Sequence, residues 1–250
     1  VIEIGNKGKV TIINDWSTGP ITGGYADRGG AIYNRGELIL EGVTFEGNKA
    51  EVYGGAICNR GTLTIKGCTF KDNTASCGGA IFNEYDSDKD YIGKMTIGAC
   101  DITGNTASGD GSGIYFKSGT LEMSGTPVIK DNTGTDLFLP LGKKITVTGA
   151  FSSGAHICVN ALEGIFTQGY STYNTASPAN YFFPSSGYNG TAVLKDNEVT
   201  FEVTAYKYLK RSWDSENEEV TEETETVTDY TVLNSNLTAL DNGFYVVTSN

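Results

Sequence analysis

The chain has 250 residues, with 33 glycines, 5 prolines and 38% apolar residues; it can bury a core, but this is the composition of many short strands and turns. Eighteen basic residues against 30 acidic ones leave a net charge of −12. That balance lacks the basic footprint a nucleic-acid binder needs to displace counterions from phosphate, and it disfavours an anionic membrane surface.

No apolar run approaches the roughly 20 residues of a membrane-spanning helix. The chain opens directly on strand-like sequence, Val1-Ile-Glu-Ile4, without a signal peptide, and is expected to be a piece of something longer. The five cysteines (Cys58, Cys68, Cys77, Cys100, Cys158) are odd in number and lack Cys-x-x-Cys spacing, which argues against a disulfide framework or a zinc site.

From residue 29 the sequence repeats itself. Gly29-Gly-Ala-Ile-Tyr-Asn34, Gly54-Gly-Ala-Ile-Cys-Asn59 and Gly78-Gly-Ala-Ile-Phe-Asn83 start 25 and 24 residues apart. After each comes an alternating strand (37–40, 62–65, 94–97) and then a second signature: Phe45-x-x-Asn48, Phe70-x-x-Asn73 and Ile102-x-x-Asn105. A fourth, decayed copy runs from Gly111 to Asn132. A period near 25 is one coil of a right-handed parallel β-helix. Alternation then sets the inward columns: Leu38, Leu63, Met95, Leu121; Leu40, Ile65, Ile97, Met123; Phe45, Phe70, Ile102, Ile129; and Val43, Cys68, Cys100. Paired glycines suit tight corners, and Asn34, Asn59 and Asn83 suit stacked amides along the axis. Outside, Glu41 is expected over Lys66 and Glu46 over Lys71, whereas Arg35 over Arg60 stacks like charges.

The pairing of Gly-Gly-Ala-Ile with Phe-x-x-Asn over about residues 29–132 resembles the repeats of the polymorphic outer-membrane protein family of bacterial surface adhesins. The resemblance implies an extracellular or cell-surface β-helix with an adhesive role.

After Asn132 the period stops. Residues 136–207 carry strand-like runs and read as a β-rich closing cap to the coils of 1–135, residues 208–228 as an acidic linker or charged strand edge, and 229–250 as strands of a next repeat unit or of self-association. Between the strands of the cap lie Tyr170, Tyr173, Tyr181, Phe182, Phe183 and Tyr188, candidates for stacking on sugar rings, although covering the open end of the core is the favoured reading.

An enzyme of this fold needs a carboxylate cradle with a basic residue, as in Ca²⁺-dependent lyases, or two opposed carboxylates about 5–10 Å apart, as in glycosidases. The outward columns (Glu37, Thr62, Lys94, Thr120; Ile39, Thr64, Thr96, Glu122) offer only isolated acids. An eight-residue insertion in the third coil carries Glu84, Asp86, Asp88 and Asp90, suited to Ca²⁺ but without the EF-hand or calcium-roll pattern, so a solvated loop is favoured and no cofactor is expected. His156 is the single histidine and excludes His-based triads assembled from this chain alone. Cys77, beside a turn, is the thiol expected to be most exposed. The expectation is a non-catalytic surface module, adhesin or spacer, with glycans or proteins as partners. The alternative is a carbohydrate-active enzyme, a polysaccharide lyase or glycosidase.

Overall fold

The structure is a computed structural model and describes residues 1–14, 19–85, 93–161, 164–185, 190–202, 206–214 and 219–227. The strands Ile32–Asn34, Glu37–Glu41, Thr44–Glu46 and Lys49–Tyr53 form one coil, and each pairs in parallel with its counterpart in the next. Stacking repeats for about seven turns, a parallel β-helix with the right-handed sense that parallel crossovers take.

The registers are those the alternation predicts. Leu38 pairs with Leu63, Met95, Leu121 and Ile145 in turn. Phe45 pairs with Phe70, Ile102, Ile129, Ile157 and Phe182. These side chains are shielded from water, and the Phe45 and Phe70 rings stack at 5.0 Å, so the period of the sequence is the period of the core. The insertion leaves after Asn83 and returns at Lys94 without disturbing the Thr62–Lys94 register.

Two motifs turn out to be hydrogen-bond devices. Asn34 donates to the amide oxygen of Asn59, and Asn59 to that of Asn83, each at 2.7 Å. The Phe-x-x-Asn asparagines make a longer ladder. Asn48, Asn73 and Asn105 each send both backbone N–H and Nδ2 to the Oδ1 of the next asparagine at 2.9–3.0 Å. Asn73 and Asn105 also bond the carbonyls of Phe45 and Phe70, which ties the two ends of the motif together across coils. The ladder ends where Asn132 donates twice to the buried carboxylate of Asp136. Burial pushes that carboxyl above its usual range, and the Asn132 donors oppose the rise.

The corner glycines are required by space as well as by conformation. Gly54 has φ +67°, and a Cβ on Gly55 would run into the Gly79 carbonyl and the backbone of Thr74 in the following coil. Both constraints come from the tight spacing of stacked backbones.

Parallel stacking crosses residue 135 without interruption. Leu137–Leu139, Ile145–Phe151, His156–Ala161, Thr167–Gln168 and Phe182–Pro184 continue the ladders, and the closing region expected over 136–207 therefore begins as further coils. The repeat vanishes there because one side of the coil is dropped. The short row Tyr25–Arg28, Lys49–Tyr53, Thr74–Ala75, Thr106–Ala107 fades to a single bridge at Thr133, and the His156–Ala161 strand serves two rows at once.

Capping of this end is by a hairpin, Thr191–Lys195 with Glu198–Glu202, that lays Val199 and Ala192 against the core. A second antiparallel hairpin, Tyr206–Asp214 with Glu219–Val227, occupies much of the segment expected to be an acidic linker. The strands expected over 229–250 lie outside the described residues. Among the described residues no helix is long and apolar enough to cross a membrane.

Candidate functional site

Four carboxylates of the outer sheet faces pair with cations of a neighbouring coil. Glu37 meets Lys9 at 2.8 Å, Glu41 meets Lys66 and Glu46 meets Lys71 at 2.9 Å. Glu122, the acid nearest to a catalytic proposal, accepts from Lys94 at 2.7 Å and from the Thr96 hydroxyl at 3.0 Å. Strand register alone produces this, because residues at equivalent positions in successive coils stand directly over one another.

The like-charge stack of Arg35 on Arg60 has an explanation that the repeat alignment could not supply. Arg35 pairs with Glu3 of the preceding coil, and Arg60 with Glu84 of the following one. Tyr33 lies between them. Both guanidiniums sit over its ring, at 5.4 and 5.8 Å, and Arg60 donates to its hydroxyl at 3.0 Å. Glu84 also holds Lys117 at 3.0 Å, and its side chain is 7% exposed. The first acid of the insertion is thus a buried counter-ion for two cations. Asp86, Asp88 and Asp90 lie outside the described residues, and among those described no three His, Cys, Asp or Glu side chains converge to hold a metal.

The candidate aromatics divide between core and surface. Tyr170 and Phe182 are buried, and Tyr170 donates its hydroxyl to the Ala176 carbonyl; burial pushes its phenol up to about 12. Helix-turn residue Tyr173 is exposed, while Tyr181 and Phe183 are half-buried and line a shallow groove of about 400 Å³ with Ser153, Gly154, Ala179 and Asn180. Tyr188 lies outside the described residues. His156 stacks flat on Phe183, with ring centroids 3.9 Å apart, and burial lowers its pKa. Among the described residues, none of the other five candidate rings lies beside a pair of carboxylates.

Burial disfavours the thiolate at every cysteine. Burial raises all five above the ordinary cysteine value, with Cys58, Cys100 and Cys158 pushed up to about 12. Cys77 is half-buried, as is Cys158, whose strand position gave no sign of partial exposure.

With that geometry in view, the comparisons with known proteins are narrow. The Chlamydia polymorphic membrane protein repeat matches residues 42–60 and 67–84. Each match runs through one Phe-x-x-Asn row, its turn and the next Gly-Gly-Ala-Ile-x-Asn row, and so contains one rung of each asparagine ladder. No curated protein and no solved structure matches the chain. The protein is a β-helix repeat protein resembling the polymorphic membrane protein family.

Proposed function

We propose that this chain is a non-catalytic module of a bacterial cell-surface protein, an adhesin or spacer that displays the flank of a stiff β-helix to glycans or proteins outside the cell. One observation carries the reading. The sheet-face carboxylates Glu37, Glu41, Glu46 and Glu122 are each bound to a cation of an adjacent coil, so acids that could act as proton donor and base serve to lace the stack instead. The family resemblance supports the placement, because its repeat is that of a membrane-associated surface family. Tyr181 and Phe183 are the ring contacts of the C-terminal groove in this reading, with Tyr170 and Phe182 committed to the core.

The test is incubation with a panel of plant, host and bacterial polysaccharides, reading retained glycan and released oligosaccharides by mass spectrometry. The proposal expects intact glycan throughout. Released fragments from any substrate would overturn it in favour of a lyase or glycosidase.

A further inference from the structure

One flank differs from the rest of the surface. The strands Ile32–Asn34, Ile57–Asn59, Ile81–Asn83, Ile114–Phe116 and Leu137–Leu139 carry a column of Tyr33, Cys58, Phe82, Tyr115 and Phe138 on this flank, in which Cys58 and Phe82 are covered by their neighbours. From Phe82 onward rings follow rings along the axis, with Phe82 to Tyr115 at 5.3 Å and Tyr115 to Phe138 at 5.0 Å. On one side Tyr53 stacks over Phe82 at 4.3 Å and Arg28 sits 5.2 Å over Tyr53. Along the other side run Arg35, Arg60, Glu84 and Lys117. Tyr33, Tyr53, Tyr115 and Phe138 are all half-buried, with part of each ring in water.

Among the described residues the charge here has the opposite sign to the protein's. Four described cations (Arg28, Arg35, Arg60, Lys117) face two paired acids, Glu3 and Glu84, and one further described acid, Asp110, acts on Tyr115 at the far end. Arg28 has no carboxylate partner among the described residues, and the Lys117 side chain is half exposed although it touches Glu84. A residual positive strip on a chain of net charge −12 is a local feature, because charges beyond about 8–10 Å are screened at physiological salt.

We infer that this flank is a binding site for an anionic polysaccharide, which lies along the helix axis with sugar faces on the Tyr33–Tyr115–Phe138 column and carboxylates or sulfates on Arg28 and Lys117. Deepening the adhesin reading and resting on it, the assignment names the ligand class and the face. An acidic peptide fits less well. Peptides dock on sheets by pairing with edge strands, whereas the backbone of this face is already spent in coil-to-coil ladders. Rings in a row suit a polymer of rings, and the net charge of −12 disfavours the same polymer on the protein as a whole.

The experiment measures retention of polygalacturonate and heparin by the full chain, with dextran and poly-L-glutamate as controls, for the wild type and for Arg28→Gln, Arg28→Lys and Lys71→Gln. Lys71 sits opposite Glu46 on another face and controls for the lost charge. The expected result is retention of an anionic glycan that weakens with salt, falls about tenfold in Arg28→Gln, and is kept in Arg28→Lys and Lys71→Gln, with unchanged circular dichroism. Retention of polygalacturonate alone would mark a carboxylate ligand, and of heparin alone a sulfated one. Either supports the site. No retention without cleavage, equal loss in the two Gln variants, or equal retention of poly-L-glutamate would overturn this face and leave the module reading standing. Cleavage of the glycan would overturn the module reading itself.

Discussion

Residues 29–132 and residues 136–202 bury polar groups in different ways. In the regular coils the Phe-x-x-Asn asparagines are each paired with their own copy one coil on, so one local solution is used three times between Asn48 and Asn132. In the closing part every pairing is made once. Asn174 accepts from the Phe151 N–H at 2.8 Å, Ser185 accepts from the Asp136 N–H at 3.2 Å, and Glu198 collects the N–H groups of Gly169 and Tyr170 with the Thr167 hydroxyl. Repetition makes hydrogen-bond satisfaction automatic within the stack, but an end has no next copy, and each donor there needs its own acceptor.

The strongest way to break the regular side is at its corners. Gly55→Ala places a methyl against backbone atoms of the next coil that have no side chain to move aside. A loss of about 4 kcal/mol or more is expected, read as a collapsed urea midpoint or as failure to fold. A stable Gly55→Ala protein would show that the coils are spaced more loosely than described.

Next in size is a comparison of two asparagines. Asn73→Ala orphans the backbone N–H of Asn48 together with one of its two side-chain N–H groups, the other staying on the Ile21 carbonyl, at about 1–3 kcal/mol for each buried donor. Asn174→Ala orphans the single N–H of Phe151 and costs about 1–3 kcal/mol. Urea titration of both variants is expected to rank Asn73 as the more damaging. The reverse order would mean that the ladder adds little to the stack.

Smaller again is the lacing of the outer face. Lys66→Ala removes the 2.9 Å pair with Glu41, whose partners are well exposed, and is expected to cost under about 1 kcal/mol in the same titration.

The smallest effect is a pH response of the closing region. His156 has its folded pKa lowered by burial against Phe183, so the unfolded chain binds the proton more tightly. Its contribution to stability is present above the unfolded value near 6.5 and declines as pH falls through that value toward the lower folded one. Because the chain has one histidine, a single imidazole proton resonance reports the titration, with a midpoint expected below 6.5. A midpoint at or above 6.5 would contradict burial as the dominant influence, leaving the carboxylates of Asp131 and Asp136 to set the proton affinity.

The same contrast governs what could be read from the sequence. Inward columns such as Leu38–Leu63–Met95–Leu121 were legible because each coil supplies an independent copy of the pattern. The partners of Arg35 and Arg60 were not, since Glu3 lies ahead of the repeats and Glu84 opens an insertion that the alignment sets aside. Residues 137–184 hid their coils because the Gly-Gly corner is missing there and one strand serves two rows. Of the aromatics, the sequence showed a cluster but not its division, which depends on Phe182 continuing the Phe45 column while its neighbour Phe183 faces outward onto His156.

One continuous β-helix runs through residue 135 to Pro184, and native-state hydrogen exchange can show whether it behaves as a single stack. Amides of Leu137–Leu139 and His156–Ala161 are expected to exchange in the same slow class as those of Ile57–Asn59, as parts of one cooperative stack. If residues 136–184 instead open by themselves in a much faster class while 29–132 stay protected, the closing segment is a separate unit and a single continuous stack is ruled out.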